Sequence, residues 1–158
     1  MIKVNWKIDE AVAGLEAILA RLRDLRPAWQ ALVTYLRRST QLQFASQGSR
    51  GGSPWQPLTV RYAQRKERVY PGQPILRASD QLYRSVTAAS PDSIVEIEPQ
   101  TLNFGTSLAR GGYHQRGEGR NPRRPFLVVT AEDRRQIKKI VRAHLQGQAT
   151  LSGFEVAS

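Results

Sequence analysis

The residues best suited to chemistry lie in one stretch, YHQRGEGRNPRRPFLVVTAEDRRQ, from Tyr113 to Gln136, where a histidine and six arginines stand among glycines and prolines. Metal binding through His114 would need two or three further ligands, and Glu118 is the only acidic side chain in its loop. Neither His114 nor the distant His144 has a His-x-x-x-His, paired-carboxylate or Gly-x-Ser-x-Gly spacing around it, so the sequence offers no catalytic residue, no metal site and no cofactor site. His144 precedes Leu145 near a predicted helix C-terminus, where the helix dipole favours an imidazole without any function. Gly117-Glu118-Gly119 lacks the spacing of a phosphate-cradling loop. What remains is guanidinium chemistry. Arg116, Arg120, Arg123 and Arg124 are able to pair with phosphates or with a partner's carboxylates, and Tyr113 and Trp55 offer faces for stacking.

The chain has 158 residues, no cysteine and 24 Lys+Arg against 13 Asp+Glu, a net charge of +11. That length suits one domain, 1–158, with its own core. Without cysteine there is no disulfide framework, thiolate nucleophile or zinc-thiolate site, and the expected compartment is a reducing cytoplasm. The N-terminus lacks the apolar run of a signal peptide and no stretch reaches the length of a membrane span, so a soluble protein is expected, with no membrane partner. The positive charge favours a polyanionic or acidic partner. Most of it, from Arg21 to Arg68 and again from Arg134 to Arg142, is spread along helical segments and reads as solvated faces. Only Arg110 to Arg124 forms a loop cluster.

Several elements must position that cluster. Val12, Leu15, Ile18, Leu19, Leu22 and Leu25 recur every three or four residues after Asp9, and Trp29, Leu32, Val33, Leu36, Thr40 and Phe44 do so after Pro27. This periodicity predicts a helix pair whose apolar stripes form a core, the second helix spanning Pro27 to Gln47. GSRGGSPWQPL, residues 48–58, predicts a flexible loop over about 48–57 with Trp55 as its anchor, Gly48 to Ser53 being mobile in the isolated subunit and ordering on assembly. A basic helix over 58–68, a turn at Pro71-Gly72 and a helix within 75–86 capped by Ser79 follow. Period-two runs at 94–97 and 101–106 around Glu98-Pro99-Gln100 predict a hairpin, and Arg110 to Gly119 a loop beside a third extended segment. Thr130 ahead of Glu132 and Asp133 caps a last helix, about Ala131 to Gln146, and residues 150–156 suggest a final strand. The expected fold class is α+β: an N-terminal helix pair and a C-terminal helix packed on a small antiparallel sheet.

GSPWQPL (52–58), ILRASDQLYRSV (75–86) and YHQRGEGRNPRRPFLVVT (113–130), taken in that order, resemble the phage virion morphogenesis family, the tail-completion or neck proteins of Mu-like tailed phages and prophages. Its pattern has an early helical region, a Gly/Pro-Trp-x-Pro-Leu turn, an Ile-Leu-x-x-(Thr/Ser)-Gly-x-Leu segment, and a His-Gln-x-Gly stretch leading to an Arg-Pro-Phe-Leu box before the last helix. Trp55, Pro57 and Leu58 match the first motif, Leu76, Ser79 and Leu82 the second, and His114, Gln115, Gly117, Arg124, Pro125, Phe126 and Leu127 the third. Asp80 stands where the pattern has glycine, and Tyr113 directly precedes His114 without the usual spacer.

The resemblance implies a non-enzymatic assembly protein of the virion neck or tail end, made in the bacterial host cytoplasm. Its implied partners are copies of itself in a ring such as a hexamer, other neck, connector or tail-tube proteins, and packaged DNA in transient contact. The interface candidates are Trp55, His114, Arg116, Arg120, Arg123, Arg124 and Phe126. Trp55 and Phe126 beside prolines suit an interface anchor and intrachain packing equally. The competing reading from charge alone is a small basic nucleic-acid-binding protein, which steep salt dependence of DNA binding would reveal.

Overall fold

The computed structural model describes residues 8–148. In chain order these form α1 (Ile8–Arg23), α2 (Arg26–Ala45), a 3-10 turn (Ser49–Gly51), α3 (Val60–Val69), α4 (Gln81–Thr87), β1 (Ser93–Ile97), β2 (Leu102–Thr106), α5 (Ala109–Arg116) and α6 (Ala131–Leu145). Six α-helices and one two-stranded antiparallel sheet make an α+β fold. The hairpin runs in register from Ser93 opposite Thr106 to Ile97 opposite Leu102.

Helix α2 is the spine. Pro27 occupies its first turn, where the missing amide proton costs nothing. Its N-terminal half buries Ala28 and Leu32 against Ile140 of α6, with Ile137 and Leu102 packed around them. Its C-terminal end buries Phe44 in a second cluster with Trp55, Leu82, Val86 and Phe126. Phe44 meets Trp55 edge-on at 5.3 Å and Tyr83 at 5.2 Å between ring centroids, an arrangement aromatic quadrupoles favour.

Helix α6 begins with the expected Thr130 cap, a complete capping box in which Asp133 N–H donates to the Thr130 hydroxyl and Thr130 N–H to the Asp133 carboxylate. Asp133 is fully buried and also accepts from Tyr35 Oη at 2.8 Å, from Ser39 Oγ at 2.9 Å and from both terminal nitrogens of Arg50. Within the segment expected to be a flexible loop, Arg50 is tied to Asp133, Trp55 N–H donates to Gln47 O, and Trp55 is buried. Gly48 sits at φ +95 with the place of its absent Cβ only 2.5 Å from Trp55. Burial of an aromatic and of an ion pair outweighs the entropy of a glycine-rich backbone here.

Three expectations need correction. The α1 stripe does not enter a core: no residue of α1 is buried, and the helix is joined to α6 at its C-terminal end, through the Arg21 guanidinium to Leu145 O and the His144 ring to the carbonyls of Arg21 and Asp24. The helix within 75–86 starts only at Gln81, and Ser79 does not cap it; Asp80 precedes it in the left-handed region at φ +57. That conformation explains glycine at this place in the family pattern, and the Arg77–Asp80 ion pair holds the aspartate there. The stretch from Arg110 is mostly helix α5, not a loop, and no third extended strand forms beside it among the described residues. Adjacent glycines Gly111 and Gly112 lower helix propensity, but a Cβ on Gly111 would lie 2.7 Å from Thr106 Cγ2, so close packing on β2 requires one of them. The strand suggested over 150–156 lies outside the described residues.

Two outcomes follow from this packing. Gly111→Ala gains about 1 kcal/mol of helix propensity yet destabilises the protein in urea unfolding, because its methyl overlaps Thr106. Burial opposes ionisation of Asp133, but Arg50, Thr130 and Tyr35 more than offset it and hold the carboxyl well below its unfolded value of 3.8. A depressed carboxyl contributes stability above the unfolded pKa and loses it as pH falls below that value. Asp133→Asn is accordingly less stable than wild type by about 3–5 kcal/mol at neutral pH, with a gap that narrows as pH is lowered through the acid range; unfolding midpoints across pH measure it.

Candidate functional site

The three motif segments converge on residues 124–127, an irregular stretch between α5 and α6. Gln115 on α5 clamps it: Gln115 Oε1 accepts from Phe126 N–H at 3.0 Å and Leu127 N–H at 3.1 Å, while Nε2 donates to Leu127 O at 2.7 Å. One side-chain amide thus satisfies three backbone groups that no strand pairs. Arg124 N–H donates to His114 O at 2.7 Å. Pro125 O accepts from the Trp55 indole and from Gln43 Nε2, both at 2.9 Å. The Arg124 guanidinium donates from Nε to Gln56 O and from Nη2 to Pro57 O, joining the Trp-x-Pro-Leu turn to the Arg-Pro-Phe-Leu box. Gly117 ends α5 at φ +77, and a Cβ there would lie 2.8 Å from Arg123 Cβ, which accounts for the glycine of His-Gln-x-Gly.

Above this knot opens a cavity of about 750 Å3. Its walls carry Lys66, Arg110, His114, Arg120 and Arg124, and no aspartate or glutamate lines it. Leu58, Tyr62, Leu76 and Leu82 supply an apolar floor. Two of the cations are buried, Lys66 and Arg124, and their only hydrogen-bond partners are carbonyls: Lys66 Nζ donates to Gln73 O and Pro74 O. Burial pushes both of their pKa values down. Burial, reinforced by Arg124 and Arg110, also lowers that of His114, so its imidazole is neutral at neutral pH, and its Nδ1 is buried without a partner. Charges taken out of water are normally paired, and here the direct partners among the described residues are carbonyl dipoles, with Glu67 and Asp80 acting on Lys66 only through space.

The candidate residues divide accordingly. Trp55 and Phe126 lie in the core at 4% and 1% exposure, spent on intrachain packing in the monomer. Arg124, expected to reach a neighbour's carboxylate, is buried and turned onto Gln56 and Pro57. His114 and Arg120 join Arg124 around the cavity, whereas exposed Arg116 and Arg123 lie outside it, Arg116 paired with Glu118. Sequence reasoning placed Arg110 in the basic cluster without singling it out and missed Lys66, because nothing in a basic helix distinguishes the one lysine turned inward. Among the described residues no group of His, Asp and Glu is arranged to hold a metal, and no helix is long and apolar enough to cross a membrane.

A sequence model of the phage virion morphogenesis family matches residues 7–146. The chain belongs to that family. Neither a curated protein nor a solved structure matches it. As a virion morphogenesis protein it has a role in building the phage particle, and the matched span includes every described element, α1 among them. Its family motifs are bonded to one another before they are available to any partner.

Phe126→Ala destabilises the fold by about 3–5 kcal/mol, the range for a fully buried phenylalanine. Gln115→Ala costs about 1–3 kcal/mol through the backbone groups it leaves unpaired. Chemical denaturation monitored by circular dichroism reads both.

Proposed function

We propose that this protein is a non-enzymatic structural component of the virion neck or tail end, a tail-completion, tail-terminator or neck protein that closes the head-tail junction as a homo-oligomeric ring. Its partners are further copies and neighbouring neck, connector or tail-tube proteins. The observation that carries the reading is the carboxylate-free basic cavity beside the exposed arginines of the 117–123 loop. Such a surface attracts acidic protein groups, while the histidine and the buried cations that might suggest catalysis have no nucleophile, paired acid or metal constellation around them. Family membership supports assembly as the biological setting.

The alternative, nucleic-acid binding, is favoured by one observation, the net charge of +11. A recessed cavity with an apolar floor suits a protein side chain better than a phosphate backbone, which runs along a surface. Purified protein added to separated heads and tails restores infectious particles under the assembly reading. With Arg120→Glu and Arg123→Glu combined, the protein stays folded by circular dichroism and no longer supports joining. Normal joining by that variant removes these arginines from the partner surface. Tight DNA binding that falls steeply between low and physiological salt, with no effect on joining, favours the alternative.

A further inference from the structure

Two surfaces are left uncovered by the described residues, and they are complementary. Helix α1 carries Ile8, Val12, Leu15, Ile18, Leu19 and Leu22 at exposures between 42% and 68%. Their spacing puts them on one side of the helix, a continuous apolar stripe of the kind that a soluble chain covers. Asp9 and Glu16 lie on the same helix, two turns apart and exposed, so its N-terminal half is acidic as well as apolar. The cavity over the motif knot has the opposite character: cations on its walls, an apolar floor and no carboxylate. Two carboxylates outside the cavity lining act on Lys66, Glu67 first and Asp80 second; Glu67 accepts from Gly72 N–H, and Asp80 is held by Arg77 through two hydrogen bonds.

These surfaces do not meet within one chain, since the stripe is exposed. The anchored end of α1 leads into the N-terminus of α2, while the cavity wall at Gln56 to Thr59 follows its C-terminus. Twenty residues of α2 put roughly 30 Å between those two ends.

We propose that α1 of one copy docks on the basic cavity of the next, its apolar stripe meeting the floor around Leu58, Tyr62 and Leu76 while Asp9 and Glu16 face Arg110, Arg120 and the deeper cations. The inference rests on the self-assembly reading and deepens it by naming both faces. Each copy has one helix to give and one cavity to receive, so the contact is head-to-tail and closes into a ring when the rotation between copies permits. The carboxylates supply a direct ion-pair partner, which Lys66 and Arg124 lack among the described residues.

Sedimentation of the full-length protein, at the concentrations where the wild type forms oligomers, tests this. Asp9→Lys with Glu16→Lys weakens self-association at least tenfold, and so does Arg110→Glu with Arg120→Glu; all four residues are exposed, and circular dichroism verifies the fold. A chain carrying all four changes regains association, because the signs are exchanged and not removed. Leu15→Ser with Leu19→Ser also lowers association. The proposal is overturned if either charge-reversed pair associates like wild type, if the fourfold variant fails to recover, or if the wild type stays monomeric. Loss with the α1 changes alone means α1 meets some other surface, such as α1 of another copy, and also overturns it. The broader assembly reading is judged separately by whether wild-type protein restores head-tail joining.

Discussion

One buried carboxylate organises much of this fold. Asp133 has no exposure to water, so it persists as an anion only because Tyr35 and Ser39 on α2, Arg50 after it and Thr130 at the start of α6 all donate to it. Removing any of these donors leaves charge in a medium that solvates it poorly. The consequence is geometric. The same group fixes where α6 begins, sets its distance from α2, and holds the 3-10 turn so that the chain reaches Trp55 in a single direction. The aromatic cluster around Phe44 is assembled on that constraint.

From there the order of dependence runs outward. Trp55 seats its indole on Pro125 O, Gln115 clamps Phe126 and Leu127, and Arg124 crosses to the turn at Gln56 and Pro57. Residues whose chemistry first suggests a site are thus used to join segments far apart in the chain. The proposed function rests on what this knot leaves on its surface: a cavity whose buried cations bond to carbonyls, and the arginines outside it. Among the described residues those buried cations have no direct carboxylate partner and the apolar stripe of α1 stays exposed, which are the counterparts the proposed assembly would supply.

Helix α1 shows the same logic from the other side. Its amphipathic period is a statement that one face will be covered, and periodicity is silent about what covers it. Within the subunit α1 touches the body through Arg21 and the turn after it, while α2 and α6 bury their stripes against each other. The family match includes this helix, so the exposed stripe lies inside the span that defines these virion proteins.

Much was legible in the sequence because it depends on local physics. The α6 cap at Thr130, Pro27 at the start of α2, the β hairpin and the α+β class all follow from backbone sterics, capping and period, which act within a few residues. The motif residues were legible as a set through resemblance, though not their division into core and surface. What tertiary structure alone decided depends on contacts across long separations. Gly111 and Gly112 read as a loop until β2 packs against one of them, and the 48–57 stretch reads as flexible until Arg50 finds Asp133. Lys66 is one of several basic residues in α3 until the 73–74 carbonyls turn it inward, and the α1 stripe reads as core until α2 and α6 pair without it. Local terms of a kcal/mol or less per residue set these preferences, and burial of an aromatic ring or a charge, being larger, overrides them.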